Sequence, residues 1–127
     1  ECNGNKAPII ETITEICVVA GEVVQFDVMA TDPNPGDKIK LSALGAPFLV
    51  DPSPADNVED WRPSPEPSAI HETQPVTKTF RWQTTCEHIS DLPYTVVFKA
   101  EDDYFINTND LTTGLATLKA LITWLGV

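Results

Sequence analysis

The fold class is decided by residues 23–30, Val23-Val24-Gln25-Phe26-Asp27-Val28-Met29-Ala30. From Val24 onward every second residue of this stretch is apolar, and polar or less apolar residues stand between. A period of two is typical of a β-strand with one buried face and one wet face. The stretch therefore predicts a strand whose alternate side chains enter a core.

The same alternation recurs along the chain, and each occurrence predicts a further strand. It is found at residues 38–43, 76–82, 94–101 and 117–124, with an opening strand at 9–19 and a short one near Phe48. About seven antiparallel strands suit a two-sheet sandwich, so we predict an all-β, immunoglobulin-like or cadherin-like fold. At 127 residues the chain is expected to form one module, 1–127.

One segment, 51–75, is rich in proline and acidic residues and lacks a clear period. A long loop of this kind is either functional or mobile. The chain opens with Glu1-Cys2-Asn3 and closes inside an apolar stretch. We therefore expect a module excised from a larger multidomain protein.

The charge balance excludes several classes of partner. Lys and Arg number 8 and Asp and Glu 19, which gives a net charge of −11. Nucleic acids and anionic lipid surfaces both require basic patches, so neither is an expected partner. No apolar run reaches the roughly 18–20 residues of a membrane span, so direct membrane insertion is not expected. The acids form either a solvated coat or a set of cation ligands.

The three cysteines, Cys2, Cys17 and Cys86, show no zinc-ligand spacing. Cys17 and Cys86 each flank a predicted strand, so one reading is a disulfide that closes a long loop. The other reading is three buried, reduced thiols. On either reading Cys2 has no evident partner within the chain.

No catalytic motif is present in the sequence. It contains no nucleophile elbow, phosphate loop, dinucleotide fingerprint or metalloprotease helix. Cys86 and His88 stand two residues apart, but this spacing does not orient an imidazole towards a thiol. We therefore expect a non-catalytic protein.

Two predicted strands end in the same way, with an alanine followed by acids. The candidate metal ligands in and after these strands are Asp32, Asn34, Asp37, Asp102 and Asp103. Strands that run in the same direction place their following loops at one pole, where clustered oxygens suit Ca²⁺. The alternative is that residues 32–37 form only a tight turn, since Asp, Asn, Pro and Gly all favour turns.

Some aromatic residues are not clearly assigned to the core. Trp61 in the proline-rich segment and Tyr104 after the strand at 94–101 are candidate ligand-binding residues, because exposed rings stack on sugars or anchor proteins. Trp124 is expected at a junction with the next domain, and Trp82 in the core.

Several motifs resemble a known type of repeat. They are Ala30-Thr31-Asp32-Pro33-Asn34-Pro35-Gly36-Asp37, Trp82-Gln83-Thr84-Thr85-Cys86-Glu87-His88 and Tyr94-Thr95-Val96-Val97-Phe98-Lys99-Ala100. The chain resembles the immunoglobulin-like or cadherin-like repeats of large Bacteroidota cell-surface proteins. Those proteins include gliding-motility-associated adhesins and other cargo of the type IX secretion system.

The resemblance implies a spacer and adhesion module of an extracellular, bacterial cell-surface adhesin, with a role in gliding motility. Its implied partners are neighbouring repeat domains of the same chain and surface glycans or proteins. The resemblance also implies a Cys17–Cys86 disulfide, and a Ca²⁺ ion held through Asp32, Asn34 and Asp102 or Asp103. The chain lacks the cadherin linker pattern Asp-x-Asn-Asp-x-x-Pro, which favours the immunoglobulin-like side. A glycan- or protein-binding module, or an accessory domain of a secreted enzyme, is the alternative.

Overall fold

The computed structural model describes residues 7–103 and 115–125, which form two β-sheets. The smaller sheet has the order β1-β3-β6, from Ile9–Glu11 (β1), Val23–Thr31 (β3) and Val76–Gln83 (β6). The larger has the order β2-β8-β7-β4-β5, from Glu15–Val18 (β2), Lys38–Gly45 (β4), His71–Thr73 (β5), Tyr94–Asp102 (β7) and Leu115–Trp124 (β8). A short helix, α1, spans Val58–Trp61, and 3-10 turns span Ala46–Phe48 and Cys86–His88. None of the helices in the described ranges is long and apolar enough to span a membrane.

The chain is an all-β sandwich, as predicted. β1, β3 and β6 match strands A, B and E of the immunoglobulin sandwich, while β4, β7 and β8 match C, F and G. The structure refines the strand count, because the predicted opening strand is two strands, one in each sheet. β2 pairs in parallel with β8, and every other pairing is antiparallel. The predicted strand near Phe48 is instead a 3-10 turn that contains Pro47.

The stretch that predicts the fold also supplies the centre of the core. Along β3 the burial alternates, and Phe26 lies opposite Phe80 of β6 with the ring centroids 5.1 Å apart. Phe98 of the facing sheet meets Phe26 edge to face, at 6.0 Å and 84°. Edge-to-face and tilted contacts are favoured geometries for aromatic pairs. These rings join the two sheets.

A second aromatic cluster fills the end of the sandwich where β8 finishes. Trp82 stacks on Tyr94 at 5.2 Å and meets Trp124 at 5.8 Å. Trp124 is 6% exposed, so the expectation that it packs against a neighbouring domain is wrong. Alternation along β8 turns its ring towards the core, where Trp82 and Tyr94 cover it.

The segment 51–75 is not structureless, since it contains α1 and β5. It covers the edge of β6 that pairs with no strand of the described residues. The Asp56 amide donates to Arg81 O at 2.9 Å, and the indole of Trp82 donates to Ser53 O at 2.8 Å. Trp61, at the end of α1, enters the core. The segment thus takes the place of a strand on this side of the sandwich.

The predicted disulfide between Cys17 and Cys86 is wrong, because both thiols are free and exposed. In β2 the core position belongs to Val18, so alternation turns Cys17 outward. In the turn after β6 the buried residue is His88, while Cys86 remains at the surface. A disulfide needs Cβ atoms about 3.5–4.5 Å apart and pointing towards each other. Cys2 lies outside the described residues.

Candidate metal centre at the acidic pole

The predicted metal ligands lie at one end of the sandwich, which we name the acidic pole. It consists of residues 32–37, which connect β3 to β4, together with Asp102 and Asp103 at the end of β7. Register places this connection beside the end of β7, since Ile39 pairs with Asp102. The shared direction of β3 and β7 therefore brings their following acids to one pole.

Three carboxylates converge at the acidic pole. Asp32, Asp37 and Asp102 each offer an oxygen, and these oxygens all lie within 4.8 Å of one another. Asp32 is 7% exposed and Asp102 is 1% exposed, so solvent screens neither charge well. The set includes three of the five predicted ligands.

Asn34, a fourth predicted ligand, shapes the turn between β3 and β4. The backbone N–H of Asn34 donates to Asp32 Oδ1 at 2.8 Å, and the backbone N–H of Asp37 donates to the backbone carbonyl of Asn34 at 3.3 Å. Gly36 has φ +90°, a conformation that most side chains disfavour, and it lets the chain turn back towards β4. The tight turn and the carboxylate cluster are therefore properties of the same loop.

Asp103 caps the neighbouring strand. Its Oδ1 accepts a hydrogen bond from the Lys38 amide at 2.8 Å, while its own amide donates to Lys38 O at 3.0 Å. These reciprocal bonds fix the start of β4 against the end of β7. Asp103 is thus next to the three clustered carboxylates but not one of them.

Gln74, which the sequence did not indicate, holds the loop from the connection between β5 and β6. Its Oε1 accepts from the Asp32 amide at 2.8 Å, and its Nε2 donates to Asn34 O at 3.2 Å and Asp37 O at 3.1 Å. One glutamine therefore satisfies three backbone groups of the connection. A glutamine in a proline-rich segment carries no sequence signal for this role.

Two oxygens of the cluster have no hydrogen-bond donor among the residues that the structure describes. Asp32 Oδ2 and Asp37 Oδ2 are both buried and unsatisfied. None of the described lysines or arginines forms an ion pair with Asp32 or Asp37. A buried acceptor without a donor is costly unless a ligand completes it.

The electrostatics agree with this geometry. Burial raises the pKa of Asp32 to about 6, the Asn34 amide opposes the shift, and the Asp102 and Asp37 carboxylates add to it. Burial also raises the pKa of Asp37, as do Asp102 and Asp103. Burial is the larger cause of both pKa shifts, and the neighbouring carboxylates add to it.

A hard divalent cation would supply that compensation. Ca²⁺ takes oxygen ligands at about 2.3–2.6 Å, so ligands on one ion lie at most about 5 Å apart. The 4.8 Å limit of the cluster meets this condition. Asp32, Asp37 and Asp102 are the residues that could hold the ion.

The two predicted ligand-binding aromatics have different outcomes. Trp61 is 1% exposed, so the prediction that it offers an exposed ring is wrong. Its ring contacts Phe98 at 5.4 Å and Phe48 at 6.5 Å within the core. Tyr104 lies outside the described residues.

Comparison with known proteins adds little to this description. No protein-family model matches the chain, and no curated protein sequence matches it. Among solved structures, the chain is similar to the periplasmic chaperone SfaE, with a TM-score of 0.49 and 9% sequence identity. The match covers 95% of this chain and 58% of the chaperone chain. The assignment of the fold therefore rests on strand order and register.

Proposed function

We propose that this chain is a non-catalytic, extracellular β-sandwich repeat of a bacterial cell-surface adhesin, and that Ca²⁺ at its acidic pole stiffens it. One observation carries the proposal: the oxygens of Asp32, Asp37 and Asp102 converge, and within residues 7–103 and 115–125 the buried Asp32 Oδ2 has no hydrogen-bond donor. Three clustered carboxylates repel one another, and a bound divalent cation would remove that repulsion. The adhesin context comes from the sequence resemblance.

The path of the strands supports a role as a spacer. β1 starts beside the end of β3, since Ile9 pairs with Thr31, so the strand enters at the acidic pole. β8 finishes at the other end, where Trp124 lies beside Val18. A module entered at one pole and left at the other can follow a sister module end to end. Neighbouring repeats are thus the first partners that we propose.

Thermal unfolding in chelator, in Ca²⁺ and in Mg²⁺ tests the metal part of the proposal. We expect Ca²⁺ to raise Tm, with a stabilisation of about 2.7 kcal/mol at one hundred times Kd. Mg²⁺ should do less, because it requires a tighter octahedral shell. Asp37→Asn should remove most of the Ca²⁺ effect, whereas Asp91→Asn, at an exposed position distant in sequence from the cluster, should keep it. Equal Tm values in chelator and in millimolar Ca²⁺ would count against the proposal.

The cell-surface part has its own test. An antibody against the chain should label intact cells of its source. Labelling that appears only after the cells are permeabilised would contradict an extracellular location.

A further inference from the structure

Residues of the segment 51–75 line an open pocket beside β6, and none of the lining residues belongs to the acidic pole. The cavity has a volume of about 430 Å³, and we name it the loop pocket. Its walls come from α1, from residues 68–70, from β5 and from β6. Pockets that hold small molecules have volumes of about 300–1,000 Å³, so the loop pocket has the size of a binding site.

The pocket carries an ammonium group in an unusual position. Lys78 occupies an inward-facing position of β6, in line with Val76 and Phe80. Its Nζ donates to Leu41 O at 2.7 Å and to Asp60 O at 2.5 Å. An ammonium group has three donors, so two carbonyls leave one N–H for another partner.

No carboxylate of the described residues forms an ion pair with Lys78. Its Nζ lies 5.3 Å from the ring centroid of Trp61, within the range of a cation–π contact. Burial lowers the pKa of Lys78, while Glu72 and Asp60 oppose the shift. The third N–H of the Lys78 ammonium therefore lies in a site formed by Glu72, Asp60 and the ring of Trp61.

The walls of the pocket are fixed before any ligand arrives. Asn57, at the start of α1, holds a left-handed conformation with φ 57°. The Arg62 amide closes α1 by donating to Val58 O at 2.9 Å, and the Ala69 amide donates to Arg62 O at 2.8 Å. The Arg62 guanidinium donates to Pro67 O at 2.8 Å, which closes the same loop from the side. A preformed site loses little conformational entropy on binding.

The groups that line the pocket suit a neutral sugar. Asp60 and Glu72 contribute carboxylates that can accept hydrogen bonds from hydroxyls, and Lys78 contributes the donor. Ile70, which is 61% exposed, adds apolar surface, while Trp61 lies buried beneath the pocket and contacts Lys78. Acceptors, a donor and apolar surface around a small cavity match the alternating polar edges and apolar faces of a pyranose ring. Two carboxylates also disfavour an anionic ligand.

We propose that the loop pocket binds one neutral monosaccharide unit of a glycan. The polar contacts would come from Asp60, Glu72 and Lys78 and the apolar contact from Ile70, above the buried ring of Trp61. The pocket shares no lining residue with the acidic pole, so the proposal does not require Ca²⁺ as a ligand.

Titration of the ¹⁵N-labelled chain with glucose, galactose, mannose and N-acetylglucosamine tests this proposal by NMR. We expect saturable shifts for at least one sugar, at amides of residues 69–79, in Ca²⁺ and in chelator alike. Glu72→Ala and Asp60→Asn should weaken binding about tenfold or more, because each removes a charged acceptor. Glu59→Ala, an exposed acid beside Asp60 that does not line the pocket, should leave Kd unchanged.

Unchanged Tm values would show that the variants remain folded. Glucuronate and free amino acids complete the panel. Shifts at these amides with glucuronate or an amino acid alone would overturn the assignment of a neutral sugar. Absence of saturable shifts with every neutral sugar, or shifts confined to residues outside the pocket, would overturn the proposal.

Discussion

Asp32 and Asp102 lie at the ends of strands in opposite sheets, yet a carboxylate oxygen of one lies within 4.8 Å of a carboxylate oxygen of the other at the acidic pole. Asp32 follows β3 of the three-stranded sheet, and Asp102 ends β7 of the five-stranded sheet. A cation bound by both would therefore link the two sheets directly. Without a cation, the same proximity places negative charges together across the sandwich.

The first prediction is that Asp32→Asn has effects of opposite sign with and without Ca²⁺. In chelator the variant should have the higher Tm, because it removes a buried charge and its repulsion from Asp102 and Asp37. In saturating Ca²⁺ the unmodified chain should be the more stable one, because it retains a ligand. Differential scanning calorimetry in both conditions measures this crossing. A variant less stable than the unmodified chain in both conditions would contradict it.

The second prediction concerns pH in the absence of divalent cations. The folded-state pKa of Asp32 is about 6, raised from 3.8 by burial, so the folded state binds the proton more tightly than the unfolded state. The free energy of unfolding should therefore rise as pH falls from 7 towards 4, by about 2 kcal/mol. Urea unfolding in chelator across this range measures the slope, and Asp32→Asn should flatten it. A stability that falls steadily between pH 7 and 5 would exclude this role for Asp32.

The sequence predicted the strands and the acidic pole because both depend on local pattern and strand direction. The alternation at 23–30 identified β3, and the matching ends of β3 and β7 brought Asp32 and Asp102 to one pole. Ligand geometry could not be predicted, because the turn at Gly36 and the cap formed by Asp103 decide which carboxylates converge. Composition alone does not distinguish these roles.

The failed predictions share one physical cause, which is that the direction of a side chain depends on tertiary packing. Cys17 was expected in a disulfide, but Val18 takes the core position beside it. Trp61 was predicted to be a ligand-binding residue because it was not clearly assigned to the core. In the structure, segment 51–75 packs along the edge of β6, and the indole of Trp61 at the end of α1 is buried in the core there. No sequence pattern within 51–75 indicates that this segment covers the edge of β6.

The third prediction is that Gln74 organises the acidic pole without being a metal ligand. Gln74→Ala removes three hydrogen bonds to the backbone of the 32–37 connection and should cost about 1–3 kcal/mol of stability in chelator. It should also weaken Ca²⁺ binding, since the loop must then be ordered when the ion binds. Isothermal titration with Ca²⁺ together with urea unfolding separates the two effects. Thr73→Ala, at an exposed neighbouring position, is the matched control and should change neither.

The fourth prediction is that Cys17 and Cys86 react as free thiols in the folded chain. Both are exposed, so an aromatic disulfide reagent should modify both without denaturant. Cys2→Ser restricts the count to these two residues. The expected result is two thiols per chain and a Tm that a reductant does not change. A count of zero that rises to two after reduction would show that the two cysteines pair in solution.

The fifth prediction is that Trp61 stabilises the fold as a core residue of the segment 51–75. It is 1% exposed and contacts Phe98 from the facing sheet, so Trp61→Ala should leave a cavity at the covered edge of β6. The expected loss is about 3–5 kcal/mol in the free energy of unfolding, measured by urea. Leu49→Ala is the matched control, because Leu49 is also apolar but is 83% exposed, and it should change stability by less than about 0.5 kcal/mol. Equal effects of the two substitutions would mean that the segment does not close the core, and that the loop pocket lacks a fixed floor.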